Sequence, residues 1–130
     1  METHRFNAYV LPGVEMTEEA IINLISKTFG LKTDEWVTVR CRSPLYFIPR
    51  QLLMTCLMDF LLYTQAEAGA VCMRDHATAF NSWKKIHETF MKDREYGEKV
   101  SHVYNHCELL KSAIVRKKKL GGFAVMDYCI

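Results

Sequence analysis

The residues best suited to chemistry are Arg74, Asp75 and His76, followed by Ala77 and Thr78. Aspartate is a preferred helix N-cap, so these side chains are predicted to lie at the exposed start of a helix. In helix-turn-helix proteins, the start of the second helix reads the edges of DNA bases. Taken alone, however, the stretch fits an ordinary helix cap with a solvent-facing neighbour better than it fits a DNA contact.

A second set of candidate residues lies upstream of this stretch. Pro49-Arg50-Gln51 precedes it by about the length of a helix-turn-helix unit, and Arg42 with Ser43 lies earlier still. The surrounding segment, 36–58, contains arginines and no acidic residue. An arginine on a loop can enter a narrow A·T-rich minor groove, where the negative potential is enhanced. Arg42 is therefore a candidate for such a contact, although spacing alone is a weak signal.

Length and composition favour one domain with its own core. The chain has 130 residues, of which 49% are hydrophobic, and its formal net charge is only +2. These values suit a single compact domain and argue against a wholly basic tail. The cysteines are scattered without a Cys-x-x-Cys pair, which favours reduced thiols. No signal peptide or run of transmembrane length is found, so we expect a cytoplasmic protein without a membrane partner.

Capping residues and apolar spacing predict an all-α fold of about six helices. Thr17 is predicted to cap the first helix and Gly30 to end it, while Thr33 is predicted to cap a short second helix. A loop from Cys41 to Phe47 is predicted to precede a third helix that begins at Pro49, because proline suits the first helical position. An apolar stripe makes this third helix the expected centre of the core. The residues of the stripe are Leu52, Leu53, Cys56, Leu57, Phe60 and Leu61.

Three further helices are predicted in the second half. Thr64 is predicted to cap a helix over Gln65 to Val71, Asp75 to open the fifth, and the sixth to run from about Arg94 to Arg116, before a break at Gly121-Gly122. The aromatic residues of the fifth helix recur at helical spacing and are predicted to face the core. They are Phe80, Trp83 and Phe90. The predicted limits are an N-terminal extension over 1–16, a domain over 17–116 and a tail over 117–130, basic and then apolar.

The ordered set of motifs resembles the C-terminal DNA-binding domain of the bacterial replication initiator DnaA. The matching pieces, within about Glu18 to Glu95, are Phe29-Gly30, Pro49-Arg50-Gln51, Glu67-x-Gly69, Arg74-Asp75-His76 and Lys85-Ile86. The resemblance implies a Trp repressor-like helix-turn-helix domain that binds double-stranded DNA in replication initiation or its regulation. The phosphate-binding motif Gly-x-x-x-x-Gly-Lys-Ser/Thr is absent from the sequence. We therefore expect a stand-alone relative that is not an enzyme and uses no nucleotide or other cofactor.

The resemblance also implies a role for individual residues. Those expected to face bases in the major groove, behind the signature residue Arg74, are Asp75, His76 and Ala77. Those expected to contact the DNA backbone are Arg50, Gln51, Thr78, Asn81 and Lys85. Arg42, with Ser43 behind it, matches the position from which the family sends an arginine into the minor groove. Independently of the family, a carboxylate can accept a hydrogen bond from cytosine N4.

Differences from the family leave a second function open. Ala77 stands where the family has a threonine, and Cys72-Met73 stands where it usually has two glycines. The stretch from Leu45 to Ile48 is apolar where the family's loop is basic, which predicts fewer phosphate contacts. The alternative is a protein-interaction module that kept the fold and lost DNA specificity. Its partner would be a replication protein or a second copy of the chain.

Two other kinds of chemistry are weakly indicated. His102, His106 and Cys107 are close in sequence, and Cys72 stands four residues before His76, so a zinc site is conceivable. Because no compact ligand motif is present, surface histidines and core thiols are favoured instead. No cysteine lies in a nucleophile motif, so a Cys/His hydrolase is not predicted. We assign neither a metal ligand nor a catalytic residue.

Overall fold

The computed structural model describes the backbone of residues 10–11 and 14–120 and the side chains of residues 16–112. The elements are β1 (Val10–Leu11), β2 (Val14–Glu15), α1 (Glu18–Phe29), α2 (Thr33–Trp36), α3 (Pro44–Phe60), α4 (Gln65–Val71), α5 (His76–Glu88), a 3-10 turn (Phe90–Lys92) and α6 (Gly97–Leu120). The six helices confirm the all-α class. One small antiparallel pair joins β1 to β2, with Val10 opposite Glu15.

Local capping explains where several helices begin and end, as the sequence predicts. The Thr17 hydroxyl accepts from the Ala20 backbone N–H at 3.1 Å, and Gly30 ends α1 with a φ of 69° that L-residues rarely adopt. At the start of α4, the Thr64 hydroxyl accepts from Glu67 N at 3.1 Å, and the Glu67 carboxylate accepts from Thr64 N at 2.8 Å. This reciprocal pair satisfies two backbone donors that the helix itself leaves unpaired.

The second and third helices begin elsewhere than predicted. Lys32 occupies the cap position of α2 in place of Thr33, and the Glu35 carboxylate accepts from its backbone N–H at 2.7 Å. Helix α3 begins at Pro44 instead of Pro49, because Ser43 caps it by accepting from Leu45 N at 3.3 Å.

Pro49 therefore lies inside α3, and much of the predicted loop from Cys41 to Phe47 is helical. The N–H that proline lacks would have paired with the carbonyl of Leu45. Leu45 lies in the exposed first turn with 41% of its surface accessible, where water can serve that carbonyl. The helix consequently tolerates an internal proline so close to its start.

Helix α3 is the centre of the core, as predicted. It contacts each of the other helices, and its predicted apolar stripe is buried throughout. The fully buried side chains packed with it include Trp36 from α2, Ile21 and Ile25 from α1, and Ile86 from α5. Burial of a large apolar side chain stabilises a fold by about 1.5–3 kcal/mol, so α3 is the element on which the others depend.

The prediction for the aromatic face of α5 is wrong for Phe80 and Trp83. Phe80 and Trp83 remain 43% and 36% exposed, and their rings stack at 6.5 Å between centroids. The buried face instead carries Ala79, Ser82 and Ile86. Close packing of α5 against α3 and α4 explains the small residues, since large side chains in place of Ala79 and Ser82 would hold the helices apart. Phe90 follows α5 in the 3-10 turn and is only partly buried.

Helix α6 is shifted relative to its predicted limits, since it begins at Gly97 and continues to Leu120. Its predicted apolar face is buried at Val100, Val103 and Cys107. The predicted break at Gly121-Gly122 and the tail beyond it lie outside the described residues, as does the side chain of Ile114. None of the helices in the described part of the chain is both long and apolar enough to cross a membrane.

Candidate nucleic-acid interface

Helices α4 and α5 form a closely packed pair joined by a short turn. Arg74 N donates to the carbonyl of Gly69 at 2.8 Å. A Cβ atom added at Gly69 would lie 2.6 Å from the carbonyl oxygen of Asp75 and 2.8 Å from that of Arg74. Because backbone atoms cannot give way cheaply, only glycine permits this approach. Gly69 therefore allows the start of α5 to pack directly against α4, and this contact fixes the position of that start.

Met73, in this turn, has a left-handed backbone conformation. It adopts a φ of 58°, in the left-handed region, and its side chain is 65% exposed. A non-glycine residue in this region costs about 1 kcal/mol. Met73 therefore adopts a backbone conformation that glycine would adopt freely. It does so at the position where the resembling family usually has a glycine.

The start of α5 presents an exposed polar surface. Asp75 caps the helix, and its Oδ1 accepts from Thr78 N at 2.8 Å. This hydrogen bond lowers the pKa of the Asp75 carboxyl, because it stabilises the ionised form. His76 and Ala77, the next two residues, are exposed, and Thr78 is half-buried. Further along α5, Asn81 and Lys85 are also exposed.

Two arginines hold the extended segment before α3 in place. Arg50 is only 5% exposed, and its guanidinium donates to the carbonyls of Trp36 at 3.2 Å and Cys41 at 2.5 Å. Arg74 donates to the carbonyls of Cys72 at 2.7 Å and Val39 at 3.0 Å. Each guanidinium group thus donates hydrogen bonds to backbone carbonyls that are not paired within a helix or strand. The arginines position the segment 37–43 between α3 and the turn that precedes α5.

The same segment forms one wall of a basic cavity of about 580 Å³, which we name the arginine cleft. Its lining residues are Arg40, Cys41, Arg42, Phe47, Arg50, Gln51 and Arg74. Burial and the nearby Arg74 charge lower the pKa of Arg50. Since four guanidinium groups line the cleft and no lining residue is acidic, the cleft attracts anions. The Oε1 atom of Gln51 is buried and lacks a hydrogen-bond partner among the described residues.

The fold brings four of the predicted site residues together in one cavity. Arg42, Arg50, Gln51 and Arg74 gather in the arginine cleft. Arg74 also belongs to the turn that leads into Asp75, so the cleft adjoins the exposed start of α5. Ser43 does not line the cleft and serves instead as the cap of α3.

Sequence reasoning missed three residues of the cleft, Arg40, Cys41 and Phe47, of which Arg40 is the charged one. Its side chain is exposed and lines the cavity beside Arg42. The available signal was its membership of the acid-free segment 36–58. Nothing local distinguished it, because its place in the cleft depends on how Arg74 holds the backbone of Val39.

A different polar cluster, which we name the Asp59 junction, lies near the end of α3. Asp59 accepts from Trp83 Nε1 at 2.9 Å and from the Tyr104 hydroxyl at 2.8 Å, and its Oδ2 lies 2.9 Å from His87 Nε2. Its carbonyl also accepts from Lys111 Nζ at 3.4 Å. Burial and Asp59 together raise the pKa of Tyr104. The junction therefore ties α3 to both α5 and α6.

The residues considered for zinc are not assembled into a site. His102 and His106 are exposed on α6 with 6.4 Å between their ring centroids, while Cys107 is buried. Cys72 is fully buried and His76 is exposed. Within the described part of the chain, no group of three or more His, Cys, Asp or Glu residues could hold a metal ion.

Comparison with known proteins adds no identification. No protein-family model matches the chain, and no curated protein is significantly similar to it. The functional argument therefore depends on the geometry of the arginine cleft and of α5.

Proposed function

We propose that the chain binds double-stranded DNA through α5 and the arginine cleft. The observation that carries this proposal is the placement of four arginines, with no acidic lining residue, beside the exposed start of α5. Phosphate contacts by arginine and lysine supply most of the affinity of DNA-binding proteins. An exposed helix start next to such a basic surface is the arrangement by which helix-turn-helix proteins read the major groove.

In this proposal some residues contact the bases or the phosphates of DNA, and others hold the protein segment that carries the contacting residues. Asp75, His76 and Ala77 face base edges, and Arg42 enters the minor groove. Asn81 and Lys85, exposed on α5, fix the register on phosphates. Arg50 and Arg74 act mainly through the segment 37–43, since they already donate to its carbonyls.

The biological setting in this proposal is replication initiation or its regulation. The support is the resemblance of the ordered motifs to the DNA-binding domain of DnaA, in which the same arginine and helix-start positions contact DNA. The chemistry of recognition does not depend on this setting.

The first test is the affinity for duplexes recovered from a randomised selection. The double variant Arg40→Gln, Arg42→Gln is expected to weaken binding about tenfold or more and to lower the salt-dependence slope by about two, because each arginine charge lost at the DNA surface removes about one released counterion. Arg94→Gln, at an exposed position in the turn before α6, is the matched control and should change neither value. Equal loss in the control would mean that general charge alone governs binding.

Specificity is tested separately at the start of α5. Asp75→Ser replaces the capping carboxylate with a capping hydroxyl, so Asp75→Ser with His76→Ala should remove sequence preference while non-specific binding remains. Uniform loss on all sequences would contradict the assignment of these residues to base reading.

A second candidate function is a protein-interaction module. The observation that favours it is the exposed aromatic pair on α5, Phe80 and Trp83, with Lys84 over the Phe80 ring at 5.8 Å to its centroid. Exposed aromatic residues are enriched in protein interfaces. Selection that enriches no duplex sequence, together with salt-independent self-association, would favour this function over DNA binding.

A further inference from the structure

The arginine cleft contains a thiol as well as cations. Cys41 lines the cleft and is only half-buried. The other cysteines with described side chains, Cys56, Cys72 and Cys107, are at most 1% exposed. Among these four thiols, Cys41 is therefore the one that a reagent in solution can reach.

Cys72 lies near the same arginines as Cys41, but its burial makes its thiol unreactive. Its thiol also feels the charges of Arg50 and Arg74, but burial outweighs them and raises its pKa to about 12. A thiol held in its protonated form is a poor nucleophile. Two thiols thus lie near the same guanidinium groups, and only Cys41 is open to the cleft.

The positive charges of the cleft determine which reagents it attracts. Four guanidinium groups and no acidic lining residue favour an anionic molecule over a neutral one. The volume of about 580 Å³ lies within the range of small-ligand sites. The Gln51 amide, whose Oε1 lacks a partner among the described residues, can accept an N–H from such a molecule after rotation about its last torsion.

We propose that Cys41 is a modification site for anionic low-molecular-weight disulfides of the glutathione type. Glutathione disulfide supplies carboxylates for the guanidinium groups and amide N–H groups for Gln51. The Cys41 thiolate attacks one sulfur of the disulfide, a new sulfur–sulfur bond forms, and the original bond breaks. One glutathione thiolate leaves, and the proton of the Cys41 thiol passes to solvent. The attached group then occupies the arginine cleft and places its carboxylates against Arg40 and Arg42.

The modification has a consequence for DNA that rests on the proposed function. A glutathionyl group in the cleft would neutralise cations that otherwise meet phosphates, so duplex affinity would fall. The reaction at Cys41 itself requires no DNA binding. The two inferences can therefore fail separately.

The test compares an anionic with a neutral disulfide on the full chain carrying Cys129→Ser, which removes a cysteine outside the described residues. The probes are 5,5′-dithiobis(2-nitrobenzoate) and neutral 2,2′-dithiodipyridine. The ratio of their rate constants is measured for the parent, for Cys41→Ser, for Arg40→Gln with Arg42→Gln, and for the control Arg94→Gln.

We expect the anionic-to-neutral ratio to fall about tenfold in the double arginine variant and at high ionic strength, as expected for electrostatic attraction. Arg94→Gln should keep the parent ratio, and Cys41→Ser should lose the fast phase with both reagents. An unchanged ratio in the double variant, or a fast phase that persists in Cys41→Ser, would overturn the proposal.

A second measurement uses glutathione disulfide itself. Mass spectrometry of the intact chain should show one adduct, located by peptide mapping at Cys41 and absent from Cys41→Ser. Pretreatment should then weaken duplex binding of the parent but not of Cys41→Ser. An adduct without any duplex binding in the untreated protein would remove the proposed function and leave the modification site standing, while absence of the adduct would overturn the site.

Discussion

Helix α3 carries an arginine, Arg50, in its first half and an aspartate, Asp59, near its end, and the two lie in contrasting surroundings. Asp59 receives hydrogen bonds from Trp83 and Tyr104 and lies against His87, so neighbouring helices complete its environment. Arg50 also donates to backbone carbonyls, but it shares its cavity with three other arginines and no acidic lining residue. The Asp59 junction is satisfied internally, whereas the arginine cleft retains an excess of positive charge.

This difference separates a structural cluster from a candidate binding site. Satisfied polar groups fix the relative positions of helices and leave little for a ligand to gain. Like charges collected in one cavity cost stability unless an anion joins them, and such arrangements concentrate at functional sites. We therefore expect changes at Asp59 to act on stability and changes in the cleft to act on binding.

The largest effect is expected from Asp59→Ala. The substitution leaves Trp83 and Tyr104 without their acceptor and should lower the free energy of unfolding by about 3 kcal/mol, measured by urea denaturation. Asp34→Ala, at an exposed position in α2, is the control and should change it little. Duplex affinity per folded molecule should stay at the parent value, and a loss of affinity in protein shown to be folded would break the separation of the two regions.

A smaller loss of stability is expected from Arg50→Met. Methionine keeps much of the apolar stem but leaves the carbonyls of Trp36 and Cys41 without a donor, so the free energy of unfolding should fall by about 2 kcal/mol. Duplex binding should weaken as well, because the segment that carries Arg40 and Arg42 loses its support. Arg50→Lys should restore little of either property, since an ammonium group cannot span both carbonyls as a planar guanidinium does. Full recovery with lysine would show that charge alone matters.

The smallest effect, counted per pH unit, is the decline of stability at alkaline pH. Burial raises the pKa of Cys72 from 9.0 to about 12, so between these values the unfolded chain loses a proton that the native chain retains. Stability from this group is complete below pH 9 and should decline by about 1.4 kcal/mol per pH unit above it. Tyr104, whose pKa is also raised, should add a decline that begins near its ordinary value of 10.0.

Repeating the pH measurement on variants assigns each part of the decline to one residue. Cys72→Ala should flatten the earlier part of the unfolding free-energy profile, and Tyr104→Phe the later part. Profiles with the same slopes as the parent would show that the two groups do not titrate differently in the native and unfolded states.

Much of the fold follows from local signals that the sequence displays. Thr17, Thr64 and Asp75 cap helices as predicted, because a cap joins a side chain to a backbone N–H only three residues away. The apolar stripe of α3 is also predicted correctly, since helical spacing places its members on one side.

The errors arise where two local interpretations compete. Pro44 and Pro49 both suit a helix start, and the cap that Ser43 provides decides for the earlier one. On α5, the aromatic face and the small-residue face have the same helical spacing. The close approach of α5 to α3 and α4 decides that Ala79 and Ser82 are buried.

The sequence by itself determined the all-α class, the position of the α4–α5 pair and the concentration of arginines before and within α3. Only the tertiary structure decided what those arginines do. Arg50 reaches carbonyls 9 and 14 residues away, and Arg74 reaches one 35 residues away. A cap forms within one helical turn, whereas these partners meet only after the helices have packed. For that physical reason the arginine cleft, with Arg40 and Cys41 inside it, emerged only from the folded chain.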